Sequence, residues 1–214
     1  MAAPWVSEPE APERIGLMAD SHGDAALITN AAAVLRSRGC TVCIHLGDIV
    51  DTTRPDTIDA CLQALENGRI NAVRGNNEHS LLLNRSIWLG RKAGEALRAM
   101  PFGRRIASAL LAHSLPFDET LGVRCLFADM DVAQLRRFFA SYPETLLFRG
   151  HSHHPEIVRI EDASLVRRPM IEGRTVLLAA RQPAVITCGA LADGLCLVWD
   201  RRMGAVELVS LATV

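Results

Sequence analysis

The chain has 214 residues, of which 49% are hydrophobic and 22% charged, and this composition excludes an intrinsically disordered protein. A chain of this length can bury a large apolar core in one domain without disulfide bonds. The formal net charge of −1 argues against a protein that bulk charge holds to long nucleic acid or to an anionic membrane.

The predicted strands and helices alternate through the first two thirds of the chain. In order, they are a strand at 15–19, a helix at 25–38, a strand at 41–46, a helix at 57–66, a strand at 70–73, a mostly helical segment at 81–100, a strand at 106–112, a helix at 131–142 and a strand at 146–148. The remainder, 157–214, predicts strands and hairpins. This order predicts an α/β fold in which helices cover two sheets.

Neither the N-terminal segment nor any apolar run indicates secretion or membrane insertion. Residues 1–13 contain three prolines and three glutamates, and they lack the basic start and apolar run of a signal peptide. The longest run without charge, 106–117, is shorter than the roughly 20 residues that cross a bilayer. We therefore predict a disordered tail at 1–13, a single domain at 14–214 and a cytoplasmic location. Cys40 and Cys43 form a CxxC pair without a second pair, so we interpret them as buried thiols.

Acidic residues and a histidine follow the first two predicted strands. Asp20 and His22 are two residues apart, so an extended backbone projects both to the same side, where they can reach one metal ion. Gly47 and Asp48 follow the second strand, and the two oxygens of Asp48 can bridge two ions. Asp51, three residues after Asp48, could orient a histidine ligand by contacting the ring without binding the metal itself. Taken alone, each motif is also compatible with an ordinary turn or helix cap.

Further metal-ligand candidates follow three later strands. The Asn76 amide oxygen is a neutral, hard ligand, and its NH2 group can contact a substrate oxygen. His113 stands alone after an apolar strand. His151 and His153 are two residues apart after the strand at 146–148, and this pair is the most specific single motif in the chain. Strand-to-loop junctions of this kind commonly build ligand sites in α/β folds.

The order of these motifs, D-x-H, GDxxD, GNxE, a single His and GHxH, resembles that of the calcineurin-like metallophosphoesterase superfamily over residues 15–190. In length the chain is similar to the small single-domain phosphodiesterases of that superfamily. The resemblance implies a four-layer α/β fold, with a two-sheet β-sandwich flanked by helices.

The resemblance also implies a site for two divalent metal ions, Mn²⁺ first, with Fe or Zn²⁺ as alternatives. The implied ligands of the first ion are Asp20, His22, Asp48 and His153. The implied ligands of the second ion are Asp48, Asn76, His113 and His151. Hydrolysis would proceed by in-line attack of a hydroxide that bridges the two ions.

One departure from the superfamily pattern concerns the general acid. Many members have a histidine after the Asn of GNxE, which protonates the leaving oxygen, and this chain has Asn77 there. His79 could replace that acid if the loop were extended, with an exposed loop histidine as the alternative. Arg85 and Arg91 are the candidates for substrate contact.

We therefore predict a metal-dependent phosphoesterase, most consistent with a phosphodiesterase, in which Asn76, Asp51 and His79 are the catalytic candidates besides the ligands. Its partner would be a small phosphate ester, with a nucleotide as one candidate, rather than a membrane or a long nucleic acid. Two alternatives stay open, namely a phosphomonoesterase of the same fold and a non-catalytic protein-interaction scaffold.

Overall fold

The structure is a computed structural model that describes residues 5–7, 12–84, 89–115, 119–178 and 182–212. Its strands are β1 Trp5–Ser7, β2 Arg14–Met18, β3 Val42–His45, β4 Ile70–Ala72, β5 Gly103–Ile106, β6 Ala109–Ala112, β7 Leu146–Arg149, β8 Glu156–Glu161, β9 Ser164–Pro169, β10 Thr175–Leu177, β11 Ala184–Thr187, β12 Leu195–Asp200 and β13 Ala205–Ser210. Its α-helices are α1 Ala25–Ser37, α2 Ile58–Asn67, α3 Asn76–Asn84, α4 Arg91–Ala99 and α5 Val132–Ser141.

The strands form two mixed sheets. The six-stranded sheet has the order β10-β13-β12-β2-β3-β4, and its β2, β3 and β4 are parallel neighbours connected through α1 and α2. The seven-stranded sheet has the order β1-β5-β6-β7-β11-β8-β9, in which β6, β7 and β11 are parallel neighbours. Strands β2, β3, β6 and β7 are buried along almost their whole length, as parallel strands covered on both faces must be.

Three apolar clusters confirm the predicted four layers. The central cluster joins the inner faces of the two sheets and includes Ile44 from β3, Phe148 from β7 and Trp199 from β12. The Phe148 and Trp199 rings pack with their centroids 4.5 Å apart. A second cluster packs α1, α2 and α4 on the outer face of the six-stranded sheet. The third cluster packs α5, through Leu135 and Phe138, on the seven-stranded sheet.

Capping side chains fix where two of the helices begin. The Asp24 carboxylate accepts hydrogen bonds from two backbone amides of the first turn of α1. Asp131 and Gln134 form a reciprocal capping box at the start of α5. These polar residues satisfy amide groups that the helix itself leaves without partners.

The structure corrects three sequence predictions. The strand expected at 106–112 is a hairpin, since β5 and β6 pair antiparallel around Ala107, which has a φ of 51°. The helix expected from residue 81 begins at Asn76, so the predicted Asn-rich loop is the first turn of α3. Within the predicted disordered tail, Trp5–Ser7 forms a strand that pairs in parallel with β5.

The CxxC thiols are buried, as the sequence predicts. Cys40 and Cys43 are buried and unbonded, and burial raises the pKa of Cys40 to about 12, so this thiol stays protonated. Among the described residues, no helix combines the length and apolar character needed to span a bilayer.

Candidate metal centre

Loops that follow five strands converge on one edge of the sandwich. Asp20 follows β2, Asp48 follows β3 and Asn76 follows β4, and these three strands are parallel neighbours in one sheet. His113 follows β6 and His151 follows β7, which are parallel neighbours in the other sheet. Because carboxyl ends of parallel strands lie at the same edge of a sheet, polar side chains distant in sequence meet there.

The first group of side chains, which we call the outer cluster, consists of Asp20, His22 and His153. The Nε2 atoms of His22 and His153 lie 3.1 Å apart, and His153 Nε2 lies 3.7 Å from Asp20 Oδ1. One ligand atom from each of the three residues fits within 4.8 Å of the others. Asp20 Oδ1 is buried and has no hydrogen-bond partner among the described residues, which is costly unless a cation occupies the space beside it.

The second group, which we call the inner cluster, consists of Asn76, His113 and His151. Asn76 Oδ1 lies 2.9 Å from His113 Nε2 and 3.0 Å from His151 Nδ1, and the two nitrogens lie 3.2 Å apart. Asp48 Oδ1 is 3.4 Å from His113 Nε2, and it also accepts a hydrogen bond from the Asn77 amide. Asp20, Asp48 and His113 bring ligand atoms within 4.8 Å of one another, so the two clusters adjoin.

All seven ligands predicted from the sequence therefore meet at this edge. Their donors are carboxylate oxygens, one amide oxygen and imidazole nitrogens, a mixture that fits Mn²⁺, Fe or Zn²⁺ and lacks thiolate. This donor set and the unpartnered Asp20 oxygen fit the pair of divalent ions that the resemblance implies. We therefore retain the dinuclear assignment as a prediction.

In three histidines, the ring nitrogen that points away from the clusters, which we call the outer nitrogen, lies near an oxygen atom that can orient the ring. His113 Nδ1 donates to the Leu46 carbonyl at 2.9 Å, and His151 Nε2 donates to the Phe127 carbonyl at 3.2 Å. These bonds leave His113 Nε2 and His151 Nδ1 unprotonated and directed at the inner cluster. His153 Nδ1 lies only 3.8 Å from the Asp193 carboxylate, a looser contact.

Asn77, and not Asp51, contacts the outer nitrogen of His22. Asn77 Nδ2 lies 3.2 Å from His22 Nδ1 and donates to the Val50 carbonyl at 2.9 Å. The Asp51 carboxylate accepts hydrogen bonds from Thr53 and Arg54 instead. We predicted that Asp51 orients a histidine ligand, but among the described residues its carboxylate has no direct hydrogen bond to a histidine.

Glu78 holds two of the ligand-bearing loops together. Its fully buried carboxylate accepts four backbone hydrogen bonds, from Gly75 and from residues 48–50, at 2.7–3.0 Å. Burial raises the pKa of Glu78 to about 7, with Asp48 as the next cause, while the amide donors act in the opposite direction. No role was predicted for Glu78 from the sequence, although the GNxE motif contains this residue. Its position in the first turn of α3 was not predicted, because the sequence favoured a loop there.

Five ligand candidates adopt a backbone conformation that is rare for residues other than glycine. They are Asp20, His22, Asp48, His151 and His153, with φ between 45° and 74°. Such conformations cost about 1–3 kcal/mol each and concentrate at functional sites. Neighbouring loops hold them through backbone hydrogen bonds, for example from Asp20 to the Gly47 carbonyl at 3.0 Å and from His22 to the Asp48 carbonyl at 3.1 Å.

Two glycines of the ligand motifs make room for a carboxylate. A Cβ atom at Gly75 would lie 2.3 Å from both the backbone nitrogen and Oδ1 of Asp48. A Cβ atom at Gly150 would lie 2.7 Å from Asp20 Oδ2. Both distances are far below van der Waals contact, so a larger residue would displace a predicted ligand.

Burial opposes charge on the ligand candidates. Burial raises the pKa of Asp48 to about 6, and burial together with Asp48 raises the pKa of Asp20 well above its usual range. Burial also lowers the pKa of His113 to about 3 and that of His151 to about 4. Neutral imidazoles are the form that ligates metals, and a divalent cation would offset the repulsion between the two carboxylates.

His79 and Arg91 belong to neither cluster. His79 is on helix α3, with its ring centroid 6.1 Å from that of Phe102 and 6.4 Å from that of Phe127. The extended loop on which its acid role depended is therefore absent. Arg91 pairs with Glu95 on α4 and lines a separate cleft between α2 and α4. Arg85 lies outside the described residues.

The sequence of residues 14–169 matches the family described as the calcineurin-like phosphoesterase superfamily domain. The match spans more than half of the chain, and the chain belongs to this superfamily. Members of the superfamily use divalent metals and act on phosphate esters. No curated protein sequence matches the chain.

Solved structures with low sequence identity share the fold. A metallophosphoesterase from Sphaerobacter thermophilus is 17% identical, with a TM-score of 0.73 and coverage of 93% of this chain and 88% of that one. A proposed diadenosine tetraphosphatase is 15% identical, with a TM-score of 0.60 and coverage of 97% and 98%. An archaeal phosphodiesterase is 15% identical, with a TM-score of 0.50 and coverage of 92% and 99%.

Proposed function

We propose that this protein is a metal-dependent phosphodiesterase with a dinuclear centre. The observation that carries the proposal is the convergence of seven candidate ligand residues, six in the two adjoining clusters and Asp48 between them. The outer cluster contains a buried carboxylate oxygen that has no partner among the described residues. The resemblance to small phosphodiesterases and the fold shared with an archaeal phosphodiesterase support the diester assignment.

The side chains divide into two groups around the proposed ions. Asp20, His22 and His153 would hold the first ion, Asn76, His113 and His151 the second, and Asp48 would lie between them. When bound, the two ions would lower the pKa of a shared water and neutralise charge on the phosphoryl oxygens. The protein contributes by fixing the rings through the Leu46 and Phe127 carbonyls, so that little reorganisation is needed during the reaction. Mn²⁺ is the first choice of metal, before Fe and Zn²⁺.

The environment of Asn77 predicts a strong dependence on the leaving group. Its amide lies where many superfamily members have the acidic histidine, and it donates to Val50 and lies beside His22. An amide does not protonate a departing oxygen near neutral pH. Esters of acidic alcohols, such as p-nitrophenol, should therefore react much faster than esters of simple alcohols.

The first experiment compares bis-p-nitrophenyl phosphate with p-nitrophenyl phosphate. Bound metal is removed, Mn²⁺ is added back, and the Asp48→Asn variant is measured beside the wild type. We expect Mn²⁺-dependent turnover of the diester, and we expect kcat/KM to fall by at least about 100-fold in Asp48→Asn. That loss is larger than substitution of a residue that only contacts a metal ligand usually produces. Asp59→Asn, on the exposed side of α2, is the matched control and should keep wild-type turnover.

Other outcomes would redirect the assignment. Turnover of the monoester alone would indicate a phosphomonoesterase of the same fold. Absence of turnover with two ions bound would contradict the diesterase proposal for simple aryl esters. Absence of both turnover and metal binding would favour an interaction scaffold.

A further inference from the structure

A cavity of about 450 Å³ adjoins the inner cluster. Five of its lining residues lie on one face of helix α3, and two come from loops. The described lining residues are Thr52, Asn76, Asn77, Ser80, Leu81, Asn84 and Phe127. Because Asn76 belongs to both the inner cluster and the cavity lining, the cavity is close enough to receive one organic group of a phosphate ester bound at the cluster.

The chemistry of the lining selects an uncharged group. Among its described residues, the side chains are amides, hydroxyls, one leucine and one phenylalanine, without a cation. A second phosphoryl group or a carboxylate would lose water here without the charged hydrogen bonds that normally replace it. Amides and hydroxyls can instead both donate to and accept from the edges of a neutral ring or the hydroxyls of a sugar.

Phe127 offers an aromatic face in the same cavity. Phe127 is 46% exposed, although its side chain is large and apolar, and it lines the cavity. Its backbone carbonyl accepts the hydrogen bond from His151 Nε2 at 3.2 Å, so the backbone that carries the ring is held beside a predicted metal ligand. An exposed aromatic ring beside neutral hydrogen-bonding groups is suited to stacking with a nucleobase.

We propose that this cavity binds the nucleoside portion of a nucleoside phosphodiester, with the base stacked on Phe127. This inference rests on the proposed phosphodiesterase function and adds the class of substrate. It distinguishes a neutral nucleoside from a polyphosphate, whose further charges would face a lining without cations among the described residues.

The test uses two diesters that have the same leaving group. Thymidine 5′-(p-nitrophenyl phosphate) carries a nucleoside, and methyl p-nitrophenyl phosphate carries a methyl group in its place. With Mn²⁺ bound, we expect kcat/KM to be at least about tenfold higher for the thymidine ester, which is typical of one base stacked on an aromatic side chain. The ratio of the two values cancels any change in the metal centre itself.

Substitutions at position 127 test the role of the ring. The ratio should fall towards one in Phe127→Ala and in Phe127→Leu, and it should be retained in Phe127→Trp. Val132→Ala is the matched control, because Val132 is also an exposed apolar residue but lies on α5 and does not line the cavity. Binding of free thymidine, followed by saturation-transfer NMR, gives a second readout that needs no turnover.

The outcomes separate the substrate inference from the proposed function. Equal kcat/KM for the two esters would overturn the nucleoside inference and leave the diesterase intact. Turnover of neither ester, with two ions bound, would overturn the diesterase for these substrates. In that case, thymidine binding that is lost in Phe127→Ala would still support the cavity assignment, and absence of thymidine binding would overturn it.

Discussion

The outer and inner clusters use similar side chains but differ in how firmly the protein holds them. In the inner cluster, His113 is fully buried, and its outer nitrogen donates to a backbone carbonyl at 2.9 Å. In the outer cluster, the His153 side chain is 35% exposed, and its outer nitrogen lies 3.8 Å from Asp193, a side chain that is 56% exposed. A carbonyl within a strand connection is a fixed partner, whereas an exposed carboxylate must first be ordered.

The difference indicates that the inner cluster is better preorganised to bind an ion than the outer cluster. A ring that is already oriented loses little entropy when an ion binds, so the inner cluster should hold its ion more tightly. The outer cluster has the buried Asp20, whose Oδ1 has no hydrogen-bond partner among the described residues and is therefore available to an ion. We expect sequential binding, with the inner site filled first.

The largest effect is expected from Glu78→Gln, which would weaken both clusters together. The Glu78 carboxylate accepts four backbone hydrogen bonds, whereas glutamine would turn an NH2 group towards some of those amides. Each buried donor left without a partner costs about 1–3 kcal/mol, so the free energy of unfolding should fall by about 2–4 kcal/mol. Urea unfolding of the metal-free protein measures this change, and Mn²⁺ titration should show weaker binding at both sites.

The matched control for this substitution is Glu66→Gln, on the exposed side of α2. It should change the free energy of unfolding by less than about 0.5 kcal/mol. If Glu78→Gln left both stability and metal affinity unchanged, the carboxylate would not be what holds the two ligand-bearing loops together. The prediction that one residue supports both clusters would then be wrong.

The sequence predicted the residues that meet in both clusters but not the difference between the clusters. His113, His151 and the other candidates could be found because each follows an apolar run that ends in a strand, and the parallel arrangement brings such ends together. The outer-nitrogen partners Leu46 and Phe127 act through backbone carbonyls, which every residue has. No residue type marks such a partner, and so sequence patterns could not identify it.

The errors in the predicted secondary structure also arose from tertiary contacts that the sequence does not show. Asn76 and Asn77 are typical of turns, and their sequence predicted a loop, yet the Glu78 carboxylate and the Asp48 side chain satisfy amides at the start of α3 and allow a helix there. The left-handed backbone at Asp20 and Asp48 was equally invisible, because tertiary hydrogen bonds impose it against local preference.

Removing one histidine from each cluster tests whether the inner site binds its ion more tightly than the outer site. We expect His113→Ala to weaken Mn²⁺ binding at the inner site by about 100-fold or more, and His153→Ala to weaken binding at the outer site by nearer tenfold. His113→Ala should also destabilise the protein, because it opens a cavity among buried groups, whereas the partly exposed position 153 can fill with water. Mn²⁺ titration followed by electron paramagnetic resonance, together with thermal unfolding, measures both effects.

His154→Ala is a suitable control for the pair, since it is adjacent to His153 in sequence and belongs to neither cluster. Its Mn²⁺ titration should match that of the wild type. Equal losses of affinity in His113→Ala and His153→Ala would contradict the idea that buried carbonyl contacts make the inner site tighter.

The smallest effect is expected from Asp193→Ala, which removes the only described oxygen partner of the outer nitrogen of His153. Asp193 ends a short turn that is anchored by hydrogen bonds from Leu191 to the Ala19 carbonyl and from Ala192 to the Asp20 carbonyl. The turn should therefore remain in place, and only a long, exposed charge contact is lost. Such contacts contribute little in water, so we expect Mn²⁺ affinity at the outer site to fall by about threefold or less. The inner site should be unaffected, and the loss should shrink further as salt concentration rises. A loss of tenfold or more that persisted at high salt would show that Asp193 orients His153 as firmly as Leu46 orients His113, and the two clusters would then be equally preorganised.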